Sequence, residues 1–453
     1  MDQGKTEFAP PTSRIAPVIP AEHRRFPLLD PMRALAAISI LGVHATLFAG
    51  TLDGRPFYGG LLAHLDIGVP FFFVLSAFLL YRPFVEARVL QRDRAGFVNY
   101  GVRRFARIAP AYWVVLTIAA IVPGVAGAFT GNWWVYYGLL QNFPIYTADP
   151  GCVAVPFNCG LSTTWSLALE VFFYATLPLF VLAMAWLAKH WRGRNWLVPE
   201  LLAVGALSAV SFVIQSRVPT SDLSVWLFFS PLGRGWWFGL GLALAAISVW
   251  VRQQQREPAP VRWIRTRPSV PVLIALAIFL ISALVVLEPG PSLAFPTIGI
   301  TEYMYEYVAF GAIAALVLAP AIFGVGERSI YSRVLAHPAF AWLGLVSYGI
   351  FLWQLPVLLA MDDLGINDLL PSFQLPLTFG LAFAVTVPLA AASYYAVERP
   401  LMRAAHRRGR RTPSPPDTAA PLPPDAQTPP RDQASRPDLA TMVADEHTKP
   451  MHP

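Results

Sequence analysis

Apolar runs of about 20 residues recur from Leu28 to Val397, and they restrict the possible fold more than any other feature of the chain. A helix of this length crosses a bilayer core of about 30 Å. Hydrophobic residues make up 55% of the chain and charged residues only 13%, which is not the balance of a soluble protein. The sequence therefore predicts an all-α integral membrane protein.

Breaks at glycine, proline and charged residues divide these runs into separate helices. The predicted spans are 29–49, 67–81, 108–127, 165–187, 197–215, 224–250, 270–287, 303–323, 338–360 and 374–397. The second of these runs is short and the sixth is long. The fold expected is a bundle of about ten transmembrane helices.

Two polar segments flank the predicted membrane domain, which covers residues 28–400. Residues 1–27 are proline-rich and lack the short apolar core and cleavage site of a signal peptide. Residues 401–453 are rich in Arg, Pro, Asp, Thr and Ser, a composition that buries too little apolar surface to offset the entropy of ordering. Both segments are predicted to be disordered.

Basic residues are distributed unevenly between alternate loops. If the N-terminus is cytoplasmic, 30 of the 34 Lys and Arg residues fall in cytoplasmic segments, and the outer loops hold only Arg55 and Arg217. Because positive charge is retained on the cytoplasmic side, both termini are predicted to be cytoplasmic and the protein to lie in the plasma membrane. The same bias explains the net charge of +7, so no nucleic-acid partner is expected.

The two cysteines, Cys152 and Cys159, lie close together in one loop between spans. The predicted topology places that loop outside, where an oxidising compartment allows the two thiols to pair. A structural disulfide is predicted, with two free thiols as the alternative.

Charged groups inside a span are costly in lipid and indicate a functional site. Arg33 and His44 are eleven positions apart in the first span, so they lie on one helix face about 16 Å apart along its axis. Glu170 is expected at the depth of His44, where a carboxylate would make the imidazole a directed general base. The alternatives are a snorkelling Arg33, an interhelical hydrogen bond for His44 and a counter-ion role for Glu170.

Three more arginines are candidates for binding an anion. Arg234 lies among glycines and tryptophans in the middle of the sixth predicted span, where it would hold an anionic ligand or a structural carboxylate. Arg104 and Arg107, three residues apart, share one side of a helical turn and could bind phosphates as a pair of forks. Their alternative role is only to keep this loop cytoplasmic. No metal site is predicted.

Seven stretches of the sequence carry a resemblance to a known family. They are LDPMRALAAISILGVHA, GVPFFFVLSAFLLYRPF, YGVRRFARIAPAYW, TTWSLALEVFFYATLPLF, RGWWFGLGLALA, VSYGIFLWQLPV and VERP. In this order they resemble the bacterial membrane-bound O-acyltransferases called acyltransferase family 3, surface-polysaccharide O-acetylases among them. The most specific signature is an arginine, ten residues and a histidine, here Arg33 and His44. The resemblance is to the single-domain form, because only the polar segment 401–453 follows the last span.

The resemblance implies an enzyme that moves an acyl group, expected to be acetyl, from acyl-CoA to a hydroxyl of an envelope glycan, glycolipid or glycosylated metabolite. His44 would be the base and Glu170 its catalytic partner. The predicted acyl-donor residues are Arg33, Arg104, Arg107 and Arg234, and the acceptor-site or structural residues are Trp165, Ser166, Tyr174, Ser347 and Tyr348. Acyl-CoA would be a co-substrate, and no permanently bound cofactor is expected.

Three positions, Pro70, Ala77 and Gln354, depart from the family pattern. Gln354 stands where a histidine is frequent, which argues that a second histidine is not required. Direct transfer and an acyl-histidine intermediate both remain open. Ten spans with buried charges also suit a proton-coupled transporter, which is the alternative function.

Overall fold

The computed structural model of this chain describes residues 26–50, 56–91, 96–125, 127, 129–143, 159–193, 195–218, 224–285, 299–324, 329–366, 369–370 and 373–411. Within these ranges the secondary structure is helical and contains no strand. The helices are α1 Leu29–Phe48, α2 Pro56–Ala63, α3 Gly68–Val89, α4 Phe97–Ile121, α5 Trp133–Tyr137, α6 Trp165–His190, α7 Leu197–Gln215, α8 Ser224–Phe228, α9 Gly235–Gln253, α10 Ala259–Thr266, α11 Ser269–Val285, α12 Ile300–Phe323, α13 Ile330–Leu335, α14 Pro338–Asp363, α15 Gln374–Ser393 and α16 Arg399–Arg411.

The described residues contain nine helical runs that are long and apolar enough to cross a membrane. A tenth is obtained if α10 and α11, which meet at an angle of 84°, are counted as one broken span. This arrangement confirms the prediction of an all-α integral membrane bundle with about ten spans.

Several span boundaries differ from the prediction. The second span runs through α2, the 3-10 turn His64–Ile67 and α3, and is therefore much longer than 67–81. The third begins at Phe97 because the arginine-rich segment before residue 108 is already helical. The predicted span 224–250 is wrong as one helix, since α8 ends at Phe228 and a turn intervenes before α9.

The last span continues through a π-helical turn, Tyr394–Glu398, into α16. The chain is thus helical to Arg411, which lies inside the segment 401–453 that was predicted to be disordered. The compact unit that contains the bundle ends at Gly409. Residues 1–25 and 412–453, most of the two predicted disordered segments, lie outside the described residues.

Helix α1 lies inside the bundle and packs against α3, α14 and α15. It approaches α14 so closely that a Cβ atom at Gly344 would lie 2.0 Å from the carbonyl oxygen of Asp30. A Cβ atom at Gly349 would similarly lie 2.8 Å from the Cα atom of Ala390 on α15. Glycine therefore sets the spacing of the helices that surround α1, as small residues often do between membrane helices.

Candidate active site

A cavity lies between α1, α3, α4, α6 and α14. Three arginines from two helices line it together: Arg33 of α1, and Arg104 and Arg107 of α4. We call this space the arginine cavity. Its other polar lining residues are Ser76, Ser166, Glu170, Tyr174, Ser347 and Tyr348.

A hydrogen-bonded group on α3 and α6 fixes one wall of the arginine cavity. Glu170 and Tyr174 are one helical turn apart and therefore face the same side of α6. The Ser76 hydroxyl donates to Glu170 Oε1, and the Tyr174 hydroxyl donates to Ser76 Oγ over 3.3 Å. Glu170 also attracts Arg33 and Arg107 electrostatically. The carboxylate is thus held among hydroxyls and guanidinium groups.

The charge on the cavity wall is positive overall, because three guanidinium groups face the single carboxylate of Glu170. Arg33 is also paired with Asp30, 3.0 Å away within α1. Arg33 and Arg107 repel each other electrostatically, and Arg104 Nε is buried without a hydrogen-bond partner in the described part of the chain. Such a site attracts an anion that can receive hydrogen bonds from several guanidinium groups.

His44 lies eleven residues beyond Arg33 on α1 and is not on the wall of the arginine cavity. Its imidazole interacts with the Gln354 side chain and the Ile40 backbone, but neither His44 Nδ1 nor Gln354 Oε1 has a hydrogen-bond partner in the described part of the chain. Gln354 of α14 is fully buried. The position that departs from the family pattern is therefore the direct neighbour of the histidine.

The predicted pairing of Glu170 with His44 is not what the structure shows. The prediction of equal depth for Glu170 and His44 depends on their distances from the outer ends of the fourth and first predicted spans. Glu170 instead interacts with Ser76, Tyr174 and the arginines near the other end of α1, whereas His44 meets Gln354. Glu170 can therefore shape the arginine cavity, but it is not placed to orient the imidazole.

Most of the predicted site residues line the arginine cavity. The helices that carry them are separated in the chain by other helices, except that α4 directly follows α3. The residues that line it are Arg33, Arg104, Arg107, Ser166, Glu170, Tyr174, Ser347 and Tyr348. His44, Arg234 and Trp165 are not part of its lining.

Arg234 does not line the arginine cavity, so the structure does not bring it together with the other three predicted donor-binding arginines. It is in the 3-10 turn Leu232–Arg234 at the start of α9 rather than in the middle of a span. Its guanidinium carbon is 3.9 Å from the ring centre of Phe228, 4.6 Å from that of Trp237 and 5.7 Å from that of Trp165. Together with Tyr307, also 5.7 Å away, these rings form a structure that we call the Arg234 cage.

The arginine cavity and the Arg234 cage share a wall. Phe73 lines the cavity, and its ring centre is 6.5 Å from that of Trp165 and 5.9 Å from that of Trp237. Trp165 also precedes Ser166, which faces the cavity. Phe73 thus connects the lining of the cavity to the rings of the cage.

Two groups near these sites were missed in the sequence. Ser76 was an isolated serine in an apolar run, which is a weak signal, because such a hydroxyl can also bond to its own helix. The sequence signal for Glu306 is stronger, since a carboxylate in the apolar segment ITEYMYEYVAF is costly in lipid. It interacts electrostatically with Arg234.

Cys159 is buried and disulfide-bonded. Cys152 lies outside the described residues. The pairing of the two cysteines therefore stays a prediction here.

Comparison with known proteins gives matches over most of the chain. YrhL of Bacillus subtilis (strain 168), whose name marks it as a candidate peptidoglycan O-acetyltransferase, is 27% identical over 84% of this chain and 55% of its own length. The peptidoglycan O-acetyltransferase OatA of Listeria monocytogenes is 26% identical over 73% of this chain and 49% of its own length. The O-acetyltransferase OatA of Staphylococcus aureus (strain NCTC 8325) is 24% identical over 84% of this chain and 58% of its own length.

The chain thus spans about half the length of each of these relatives. No solved structure matches it. The family model Acyl_transf_3, described as an acyltransferase domain, matches residues 27–395 and so covers the bundle almost from end to end. This chain belongs to the Acyl_transf_3 family of acyltransferase domains.

Proposed function

We propose that this protein is an integral-membrane O-acyltransferase that moves an acetyl group from acetyl-CoA to a hydroxyl of a cell-envelope glycan. The observation that carries the proposal is the arginine cavity, which opens beside the helix that also carries His44. Helix α1 then carries both Arg33 of the proposed anion-binding site and His44, the proposed base. The family membership favours an acyltransferase over the transporter considered for the sequence.

The arginine cavity would hold the phosphate groups of the donor. Arg104 and Arg107 project from one side of α4, and Arg33 faces them from α1. Planar guanidinium groups bind phosphate oxygens through two parallel hydrogen bonds, which suits a ligand with several phosphates. Glu170 would hold Ser76 and Tyr174 in place and limit the mutual repulsion of the arginines.

His44 would act as the general base at the other end of the donor. The two residues Arg33 and His44 are about 16 Å apart along the helix axis, a distance that the extended arm of a coenzyme A thioester can cover. The imidazole takes the proton of the acceptor hydroxyl while the hydroxyl oxygen attacks the carbonyl carbon of the thioester. The carbon–sulfur bond breaks, and the thiolate of coenzyme A leaves with a proton from the imidazolium.

Gln354 would orient the imidazole in place of a carboxylate. Its side chain is fully buried, interacts with His44, and carries an Oε1 atom that has no hydrogen-bond partner among the described residues. A neutral partner fixes the ring without adding charge, so the imidazole remains free to accept a proton. An acyl-histidine intermediate is the rival route, and a burst of labelled protein in the absence of an acceptor would reveal it.

The acceptor we propose is a sugar hydroxyl of peptidoglycan. The names of two relatives, YrhL and the OatA of Listeria monocytogenes, include this polymer.

We also place both termini in the cytoplasm, because 30 of 34 basic residues then lie on that side. A C-terminal green fluorescent protein fusion should therefore fluoresce, and a C-terminal alkaline phosphatase fusion should be inactive. The reverse pattern would overturn the topology.

The decisive experiment measures transfer of labelled acetyl from acetyl-CoA to peptidoglycan fragments by the purified protein in liposomes. The substitution His44→Ala should lower the transfer rate by about a hundredfold to ten-thousandfold, the usual contribution of a general base. Binding of acetyl-CoA should persist, because His44 does not line the arginine cavity.

The matched control is His190→Ala. His190 is exposed at the end of α6, so its removal should leave the transfer rate at the parental value. If the folded His44→Ala protein transferred acetyl as fast as this control, His44 would not be the base.

A further inference from the structure

Glu398 is a buried carboxylate that the proposed reaction does not use. It is the last residue of the π-helical turn Tyr394–Glu398 and is only 1% exposed. Its Oε1 atom has no hydrogen-bond partner among the described residues. Burying a carboxylate without such partners costs free energy, and π-helical turns are frequent at functional sites. Both observations indicate that Glu398 does more than fill space.

The arginine that follows Glu398 in the sequence does not neutralise it. The guanidinium carbon of Arg399 is instead 5.5 Å from the ring centre of Tyr395, an exposed residue. In the described part of the chain Glu398 forms no ion pair. Its charge can therefore act on a group of another helix.

The helix that lies against the π-helical turn is α4, which carries Arg107. Val397, the residue before Glu398, packs against the apolar cluster that includes Ile108 of α4. One turn beyond Glu398, the Met402 sulfur accepts a hydrogen bond from Arg107 Nη1 over 3.9 Å. Residues four positions apart share one side of a helix, so Glu398 and Met402 both face α4.

Arg107 thus links the arginine cavity to the π-helical turn. It lines the cavity, yet it also contacts Met402, which is not part of the lining. Glu398 and Glu170 both attract it electrostatically. Neither carboxylate forms an ion pair with Arg107 in the part of the chain that the structure describes, and a thioether sulfur is a weak acceptor. Most N–H groups of Arg107 are therefore left for a ligand.

We infer that Glu398 is a positioning residue that holds the Arg107 guanidinium group at the wall of the arginine cavity, where it binds a phosphate group of the acyl donor. The inference rests on the proposed function, because it concerns donor binding by the same enzyme. Glu398 does not line the cavity, so it acts through Arg107 and not on the donor itself. An arginine that is fixed in advance loses less conformational entropy when the ligand binds.

Two other roles for Glu398 would have different consequences. A carboxylate that acted directly on the donor would repel its phosphate groups, so removing the charge would strengthen donor binding even in the absence of Arg107. A carboxylate with a purely structural role would affect donor binding to the same extent with and without Arg107. Only a positioning residue has an effect that requires Arg107.

The test is a double-mutant cycle of Glu398→Gln and Arg107→Ala. Glutamine keeps the shape of the side chain and removes its charge. The Kd for acetyl-CoA is measured by equilibrium binding for the parent, both single variants and the double variant, with kcat and KM for acetyl transfer in parallel. The matched control is Glu302→Gln, which changes an exposed carboxylate of α12, a helix that does not line the cavity.

Glu398→Gln should raise the Kd and KM for acetyl-CoA by about threefold to tenfold, a usual size for coupling between neighbouring residues. The kcat at saturating acetyl-CoA and the KM for the acceptor should keep their parental values, because His44 is not disturbed. In the Arg107→Ala background, Glu398→Gln should have no further effect. Glu302→Gln should behave as the parent.

A second variant covers the case in which Glu398→Gln does not fold. Glu398→Asp keeps the charge but draws it back by one methylene group, so it should raise the acetyl-CoA Kd less, again only when Arg107 is present. The inference is overturned if the Kd is unchanged or falls in Glu398→Gln, or if either variant changes it equally with and without Arg107.

The two proposals fail in different ways. A protein that binds acetyl-CoA with the expected dependence on Glu398 and Arg107, but transfers no acetyl, would refute the proposed function and leave the role of Glu398 intact. A protein that transfers acetyl with the same Kd and KM for acetyl-CoA in Glu398→Gln as in the parent would refute the role of Glu398 alone. A protein that neither binds acetyl-CoA nor transfers acetyl would refute both.

Discussion

Replacing Gly344 by alanine tests how strictly α1 is held against α14. The new Cβ atom would lie 2.0 Å from the Asp30 carbonyl oxygen and 2.4 Å from the carbonyl carbon, whereas ordinary contact begins at 3.4 Å. Both obstructing atoms belong to the backbone, so no side chain can turn away. The two helices must separate by about 1 Å or more, and overpacking of this kind costs about 1–3 kcal/mol.

The separation should also weaken binding of the donor. Asp30 is the ion-pair partner of Arg33, and α14 carries Ser347 and Tyr348, which also line the arginine cavity. Moving α1 away from α14 therefore displaces Arg33 relative to these residues. We expect Gly344→Ala to melt below the parent in detergent and to bind acetyl-CoA less tightly.

Gly380→Ala is the control for Gly344→Ala. Gly380 is inside α15, and a Cβ atom there would meet nothing within 4 Å. Alanine at an open helical position is favoured over glycine by about 0.5–1 kcal/mol. Thermal unfolding of the two variants, followed by intrinsic fluorescence, gives the comparison. If Gly344→Ala melted as high as Gly380→Ala, the close approach of α1 and α14 would be wrong.

Three further predictions concern single side chains. Arg107→Ala should raise the Kd for acetyl-CoA by about tenfold to a hundredfold, because a charge-assisted hydrogen bond is lost; equilibrium binding should show no change for Arg103→Ala, which does not line the cavity. Glu200→Ala should lower the free energy of unfolding by about 3 kcal/mol, since the buried Tyr81 hydroxyl and the half-buried Arg88 guanidinium group lose this partner. Glu257→Ala, which breaks the more exposed pair with Arg265, should cost less than about 1 kcal/mol, and equal melting temperatures would contradict this ranking. Ser76→Ala should lower the acetyl-transfer rate, because Glu170 and Tyr174 lose their common partner; a parental rate would exclude this role.

The number of spans could be predicted from the sequence because apolar length alone decides whether a helix can cross the bilayer. Their ends were harder to predict. Apolar side chains also fill short helices and turns, so α8 and the start of α9 were joined into one span although Pro231 and Gly233 interrupt it. Arg234 was misplaced for the same reason.

The arginine cavity was partly predictable. Arg104 and Arg107 are three positions apart, and this spacing places them on one side of α4 whatever surrounds the helix. The meeting of Glu170 with Ser76 was not predictable, because it depends on the relative depth and rotation of α3 and α6. Span ends are too imprecise to fix that depth, which is why the pairing of Glu170 with His44 was wrong.

Helix α1 links the arginine cavity to His44, because Arg33 lines the cavity and His44 is eleven residues further along the same helix. In the direct transfer proposed for His44, the acceptor hydroxyl must be at the imidazole while the thioester is there, so both substrates are bound at once. Coenzyme A then need not dissociate before the sugar arrives. Initial-rate plots at several fixed acceptor concentrations should intersect, as in a sequential mechanism, rather than run parallel.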